Sequence, residues 1–177
     1  MKFICCLLVF LLTVSPVAGA AEVQIETAFS PQQGATDLVV KTIAKAHKSI
    51  RVAAYLLTSR RIANALIKAE RNGVDVKVVI DKQQNDTARG SLAGYLKDNG
   101  VQIRENGRYT NMHDKFMVID SDIIEAGSFN YTRTAEDQNA ENVLVLQGAA
   151  QVVQDYQKQW NRLWEEGAAP GFSLFGH

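Results

Sequence analysis

Between Val23 and Glu105, four short strand-like runs alternate with three stretches of helical period, and that alternation admits few folds. Val23, Ile25 and Thr27 alternate with polar residues as a half-buried strand does, and Ser30-Pro31-Gln32-Gln33-Gly34 breaks the pattern. Thr36 is placed to cap a helix with Val39, Ile43 and Ala46 on one face, ahead of a strand over residues 50–56. Thr58 or Ser59 caps a second helix carrying Ile62, Leu66 and Ile67, which Asn72-Gly73 stops. Residues 74–81 form the next strand, and its nearly continuous apolar centre at 76–80 predicts a position with both faces covered. A polar loop over 82–90, a short helix over 92–97 and a strand over 101–105 complete a βαβαβαβ run. The run predicts an α/β fold in which a largely parallel sheet is flanked by helices on both faces.

After Asn106-Gly107 the rhythm changes. Short strands over 114–119, 123–126 and 142–146 follow one another closely before a closing helix from about 150 to 165. Strands this close in sequence usually pair antiparallel, so the sheet is expected to be mixed. Residues 21–177 read as a single domain.

The first 20 residues stand apart from it. Met1-Lys2, an apolar run over 3–14, Ser15-Pro16 and the small-residue stretch ending Ala18-Gly19-Ala20 have the three parts of a secretory signal peptide. The run is short of the roughly 20 residues a membrane-spanning helix needs, and Pro16 interrupts its extension. Cleavage is expected within a residue or two of position 20, with export to the periplasm or the medium. Both cysteines, Cys5 and Cys6, leave with the leader, so the mature chain has no thiol chemistry. It keeps 18 basic against 19 acidic side chains, and a polyanion would have to be held by a local patch rather than by net charge.

The segment from His113 to Asp120 carries the chemistry. On a strand His113 and Lys115 project together while Asp114 points away, so imidazole and ammonium share one site. Phe116 and Val118 pack on one side and Met117 and Ile119 on the other, which mounts the pair on a rigid central strand. Gly127-Ser128-Phe129-Asn130 follows, with a hydroxyl and an amide where a strand ends in a turn. Gly127 permits close backbone approach, Ser128 and Asn130 can donate hydrogen bonds, and Lys115 adds positive charge. A nucleophilic or acid/base histidine beside such donors suits phosphoryl transfer better than acyl transfer, which wants an activated serine or cysteine. Glu141, opening the next strand, is the nearest downstream group able to fix the tautomer of His113. A metal site fits poorly, because His47, His113 and His177 are far apart and Lys115 would repel a cation; no cofactor is expected.

The series His113-x-Lys115-x4-Asp120-x6-Gly127-Ser128-x-Asn130 resembles the complete signature of the phospholipase D superfamily. From about 22 to 166 the chain also resembles the small exported bacterial endonucleases of that superfamily, which carry one copy of the motif. The resemblance implies a mixed sheet between helices, and metal-independent phosphodiester hydrolysis through a phosphohistidine. In-line displacement puts nucleophile and leaving oxygen on opposite sides of phosphorus, so one histidine cannot both attack and protonate the departing alcohol. With one motif per chain, the simplest arrangement is a two-fold homodimer in which two copies of His113 share one site. Asp120 is read as orienting neighbouring groups or pairing with a basic side chain in a structural role, and not as the base.

Three functions follow from different classes. The first is a nonspecific nuclease on single- and double-stranded DNA, with RNA not distinguished, whose strand is held by Arg89, Arg104, Arg108 and Arg133. The second is a phospholipase D-type hydrolase on lipid head groups; no long amphipathic segment favours stable membrane association after signal removal, although Phe172, Leu174 and Phe175 keep it open. The third, a non-catalytic nucleic-acid-binding module, needs less than this constellation supplies.

Overall fold

In the computed structural model, residues 22–87 and 90–170 are described. The leader, Arg89 and the apolar tail at 172–175 lie outside the described residues. The elements run β1 (Gln24–Ser30), α1 (Ala35–Ile43), β2 (Ser49–Ala54), α2 (Arg60–Arg71), β3 (Asp75–Asp81), α3 (Lys82–Thr87), α4 (Ala93–Asp98) and β4 (Gln102–Asn106). They continue with β5 (Lys115–Ile119), β6 (Ile123–Gly127), α5 (Arg133–Asp137), β7 (Glu141–Gln147) and α6 (Ala150–Glu166). The seven strands make one sheet in the order β1-β7-β6-β5-β2-β3-β4.

The sheet is mixed and flanked by helices, as the alternation implies, but its balance differs from the expected one. Parallel pairing is confined to β2–β3 and β3–β4, while the other four pairings are antiparallel. The difference starts with β1, which leaves the βα run and pairs with β7 at the opposite edge. β5 is the fourth of the seven strands, so the His113–Lys115 pair does open a central strand.

Two cores form because the sheet is covered on both sides. Met117 and Ile119 face a core shared with Val76, Val78, Leu66 and Ile43, under α1 and α2. Phe116 and Val118 face a second, smaller one with Val153, Trp160 and Leu163 of α6. Trp160 seats α6 by donating its indole N–H to the Val52 carbonyl at 2.9 Å, and Tyr156 meets Phe116 edge to face with ring centroids 5.0 Å apart. Ser59 caps α2 by accepting from the Ile62 N–H, a contact worth about 1 kcal/mol. Thr36 lies inside α1 and does not cap it. The Glu136 carboxylate from α5 accepts both its N–H, at 2.8 Å, and its hydroxyl.

Two further expectations change. The polar stretch at 82–90 holds a helix, α3, which apolar periodicity misses because polar groups build it. The Asp81 carboxylate accepts the Gln84 N–H, and the Asn85 amide donates to the carbonyls of Asp81 and Tyr55. The side of β1 that bears Ile25, Thr27 and Phe29 is the open side, and Ala28 and Ser30 point into the core. Val23, Ile25 and Phe29 remain 43%, 62% and 49% exposed. The cause is geometric: α6 packs across β2 to β6 and stops short of the β1 edge.

Candidate active site

The site lies where β5 begins and β2 ends, since Lys115 pairs with Ala54. His113 and Lys115 share a side as strand geometry requires, with Lys115 Nζ 3.1 Å from His113 Nδ1 and donating to the His113 carbonyl at 2.7 Å. An ammonium can only donate, so a neutral ring in this arrangement carries its proton on Nε2. Burial holds the Lys115 ammonium below the ordinary lysine pKa, and the charges of Glu141 and Asp114 work against that. Asp114 points away and accepts from Gln159 Nε2 at 2.9 Å.

Tyr55, which the sequence reading passes over, forms the other wall. Its ring packs against the imidazole with centroids 4.4 Å apart and lies 5.1 Å from Lys115 Nζ, and its hydroxyl donates to Asn111 Oδ1. Apart from its place just after β2, no local pattern marks it.

His113, Lys115 and Gly127 line one open cleft of about 330 Å³ with Asn142, Leu144 and Tyr156. Gly127 is required by packing. A Cβ there would overlap the Asn142 carbonyl oxygen of the adjacent strand. Gly127→Ala is therefore expected to lower stability by about 1–3 kcal/mol, the usual cost of forced overpacking. An unchanged denaturant midpoint would contradict that packing. Ser128 accepts the Asn142 N–H at 3.1 Å, which ties the turn to the cleft wall and leaves its hydroxyl proton free to donate. Asn130 ends the turn with its Oδ1 buried and without a hydrogen-bond partner.

The next residue fastens that turn. Tyr131 accepts the Thr58 and Ser59 N–H groups on its carbonyl, at 3.0 and 2.8 Å, and donates its hydroxyl to Glu125 at 2.6 Å. Glu125 is 1% exposed, and burial pushes its carboxyl up to about 7. The Tyr131 hydroxyl is raised well above its ordinary pKa by the same burial, so it stays a donor.

Several candidate residues sit elsewhere or do other work. Asp120 lies at the far end of β5 from Lys115, where its carboxylate accepts the N–H groups of His47, Lys48 and Ser49 at 2.7–2.8 Å. It orients the entry to β2 and is not part of the site. These bonds hold its carboxyl below the usual range despite partial burial. Glu141 makes no hydrogen bond to His113 within the chain; its carboxylate accepts from the Asn139 amide. Arg104 is committed to structure, donating to the Trp164 carbonyl and lying 4.7 Å over that ring. Arg108 pairs with Glu166, and Arg133, 91% exposed in its side chain, pairs with Asp137. Among the described residues no three His, Cys, Asp or Glu side chains group as a metal site would need, and no helix is long and apolar enough to cross a membrane.

A family model described as "Cardiolipin synthase, PLD-like domain" matches residues 39–164. The chain belongs to the phospholipase D superfamily. Nuc, a phospholipase D family member from Salmonella typhimurium, superposes with a TM-score of 0.81 at 35% identity, over 85% of this chain and 100% of that one. NucT from Helicobacter pylori shares the fold, with a TM-score of 0.77 at 22% identity over 84% and 100% of the two chains. Mitochondrial cardiolipin hydrolase of Xenopus laevis is 34% identical over 73% of this chain and 61% of its own length. Phospholipase D of Rickettsia typhi is 32% identical over 77% and 66%. The chain thus spans less than two thirds of these two curated relatives. Within the superfamily's signature, His113, Lys115, Gly127, Ser128 and Asn130 gather at one end of the sheet, and Asp120 stands at the other.

Proposed function

We propose that this superfamily member is an exported endonuclease that hydrolyses phosphodiester bonds of nucleic acid, with one active site shared by two subunits. The observation that carries the chemistry is the His113–Lys115 pair on the central strand, opening into a cleft that Gly127, the first residue of the turn to Asn130, also lines. In the first step a His113 ring nitrogen attacks phosphorus, and the P–O bond to the leaving strand breaks. The departing oxygen takes a proton from the second His113. Water then attacks the phosphohistidine, giving its proton to that second imidazole, and the P–N bond breaks to leave a phosphomonoester. The acid copy of His113 must start as the imidazolium, so that giving up its proton leaves the neutral imidazole that later takes one from water, while the nucleophilic copy must be neutral and present a bare nitrogen. Lys115, Ser128 and Asn130 stabilise the charge on the phosphoryl oxygens.

Two features support pairing of subunits. Each chain carries one motif, and the uncovered side of β1 runs beside the cleft, because Phe29 pairs with Asn142 and Thr27 with Leu144. An apolar strip of that kind suits burial against a second copy. Export rests on the leader at 1–20.

The relatives named as cardiolipin hydrolase and phospholipase D favour a second reading, hydrolysis of lipid head groups. One experiment separates them. Mature protein in excess chelator is incubated with supercoiled plasmid and, separately, with labelled phospholipid vesicles. Nicking of plasmid with intact lipid is expected, since Lys115 and the turn donors supply the charge stabilisation that Mg²⁺ gives many nucleases. Lipid cleavage without nicking selects the second reading, and nicking restored only by a divalent metal defeats the mechanism.

A further inference from the structure

A second cleft of about 220 Å³ adjoins His113 on the α6 side, bounded by Tyr109, Asn111, Asp114, Gln159 and Arg162. It shares His113 and Asp114 with the first cleft, so the two clefts meet at these residues. Its charge is unusual for this end of the molecule. Arg108 and Arg133 are neutralised by Glu166 and Asp137, and Arg104 is folded on Trp164. Arg162 is exposed and in no ion pair among the described residues; its guanidinium donates to the neutral Gln159 Oε1 at 2.7 Å. Gln159 in turn donates to Asp114, the neighbour of His113. The relay Asp114–Gln159–Arg162 thus places the Arg162 guanidinium at the rim of the cleft, with Asp114 in the lining and Glu166 within reach of its charge, neither of them in an ion pair with it.

Resting on the nucleic-acid reading above, we infer that this cleft is a subsite for the nucleotide next to the scissile bond, with Arg162 taking the adjacent phosphate. The chemistry is selective. A nucleic-acid strand carries a charge about every 3.4 Å of axial rise, so a second phosphate follows the one being cut. A minimal diester has none to offer. Arg162 therefore contributes binding to a polynucleotide and touches no reacting atom. Tyr109, whose hydroxyl is spent on Glu166, leaves its ring as the wall against which sugar or base can lie.

The test compares Arg162→Gln and Arg162→Lys with wild type, on a labelled single-stranded oligodeoxynucleotide and on bis(4-nitrophenyl) phosphate. For Arg162→Gln the ratio of kcat/KM on oligonucleotide to that on the minimal diester is expected to fall about tenfold, mostly through KM. The slope of log affinity against log salt should become shallower by about 0.7, the share of one phosphate contact on a single strand. Arg162→Lys should recover most of the ratio. An unchanged ratio and slope in a wild type that cuts the oligonucleotide overturns the subsite, as does an equal loss on both substrates. Failure of the wild type to cut any oligonucleotide while it hydrolyses the minimal diester overturns the nuclease reading itself, and the subsite with it.

Discussion

Replacing His113 by Asn is expected to lower turnover by on the order of 10³-fold or more, because the side chain that forms the covalent bond to phosphorus is gone while the shape of the site is kept. The mixture with wild type is the sharper measurement. If one site needs two copies of His113, a heterodimer has either a nucleophile without an acid or an acid without a nucleophile. Co-refolding equal amounts of the two chains should then leave about a quarter of the all-wild-type activity, since only wild-type homodimers turn over. Half the activity would mean that each chain works alone. The stereochemical course is independent of subunit counting: two successive in-line displacements retain configuration at a chiral phosphorus, and a single attack by water inverts it. Inversion would remove the phosphohistidine even if the dimer survived.

Much of the site was legible because strand geometry is strict. Alternation alone puts His113 with Lys115 and sends Asp114 away, and the distances bear that out. The same period divides Phe116 and Val118 from Met117 and Ile119, and these pairs do enter opposite cores. What alternation cannot say is how far a residue is from the site along the strand. Asp120 belongs to the motif in sequence, yet β5 carries it to the other end of the sheet, where three backbone N–H groups take its carboxylate. Tyr55, Gln159 and Arg162 were invisible for the complementary reason. They come from the residue after β2 and from α6, far from His113 in sequence, and only the fold brings them to it.

In the fold, the parallel half was readable from its βα rhythm, and the antiparallel half less so. Pairing of β1 with β7 is a long-range choice that no local pattern encodes. Its consequence was misread as well, since a strand of alternating polarity looks half-buried whichever side the covering helix reaches. α3 and α5 are short and set by polar contacts, the Asp81 carboxylate for one and the Thr132 hydroxyl, accepting from the Ala135 N–H, for the other. Hydrophobic period cannot register such helices.

The buried carboxyl of Glu125 gives the second large effect, and it is one of stability. Its only hydrogen bond comes from Tyr131, and its other oxygen has no partner. The fold therefore favours the neutral acid, with a carboxyl at about 7 where an unfolded glutamate titrates near 4.5. Between these values the native chain keeps a proton that the unfolded chain has released, so stability falls as pH rises across that window and levels off above it. At about 1.36 kcal/mol per pH unit, the loss from pH 4.5 to pH 8 is on the order of 3 kcal/mol. For a chain of this length that corresponds to a Tm lower by roughly 6–12 °C. Glu125→Gln cannot titrate, so its Tm should stay flat over the same range relative to wild type, offset by a constant cost for an amide with unmet donors. The difference between the two curves isolates this carboxyl from every other group that titrates there. Because Tyr131 follows Asn130 directly, ionising Glu125 loosens the turn that follows Gly127, and the ratio of wild-type to Glu125→Gln activity should decline through the same window, the acid–base chemistry common to both cancelling in the ratio. Parallel Tm curves for the two proteins would show that the carboxyl is already ionised in the native fold, and would remove the buried neutral acid from beneath the site.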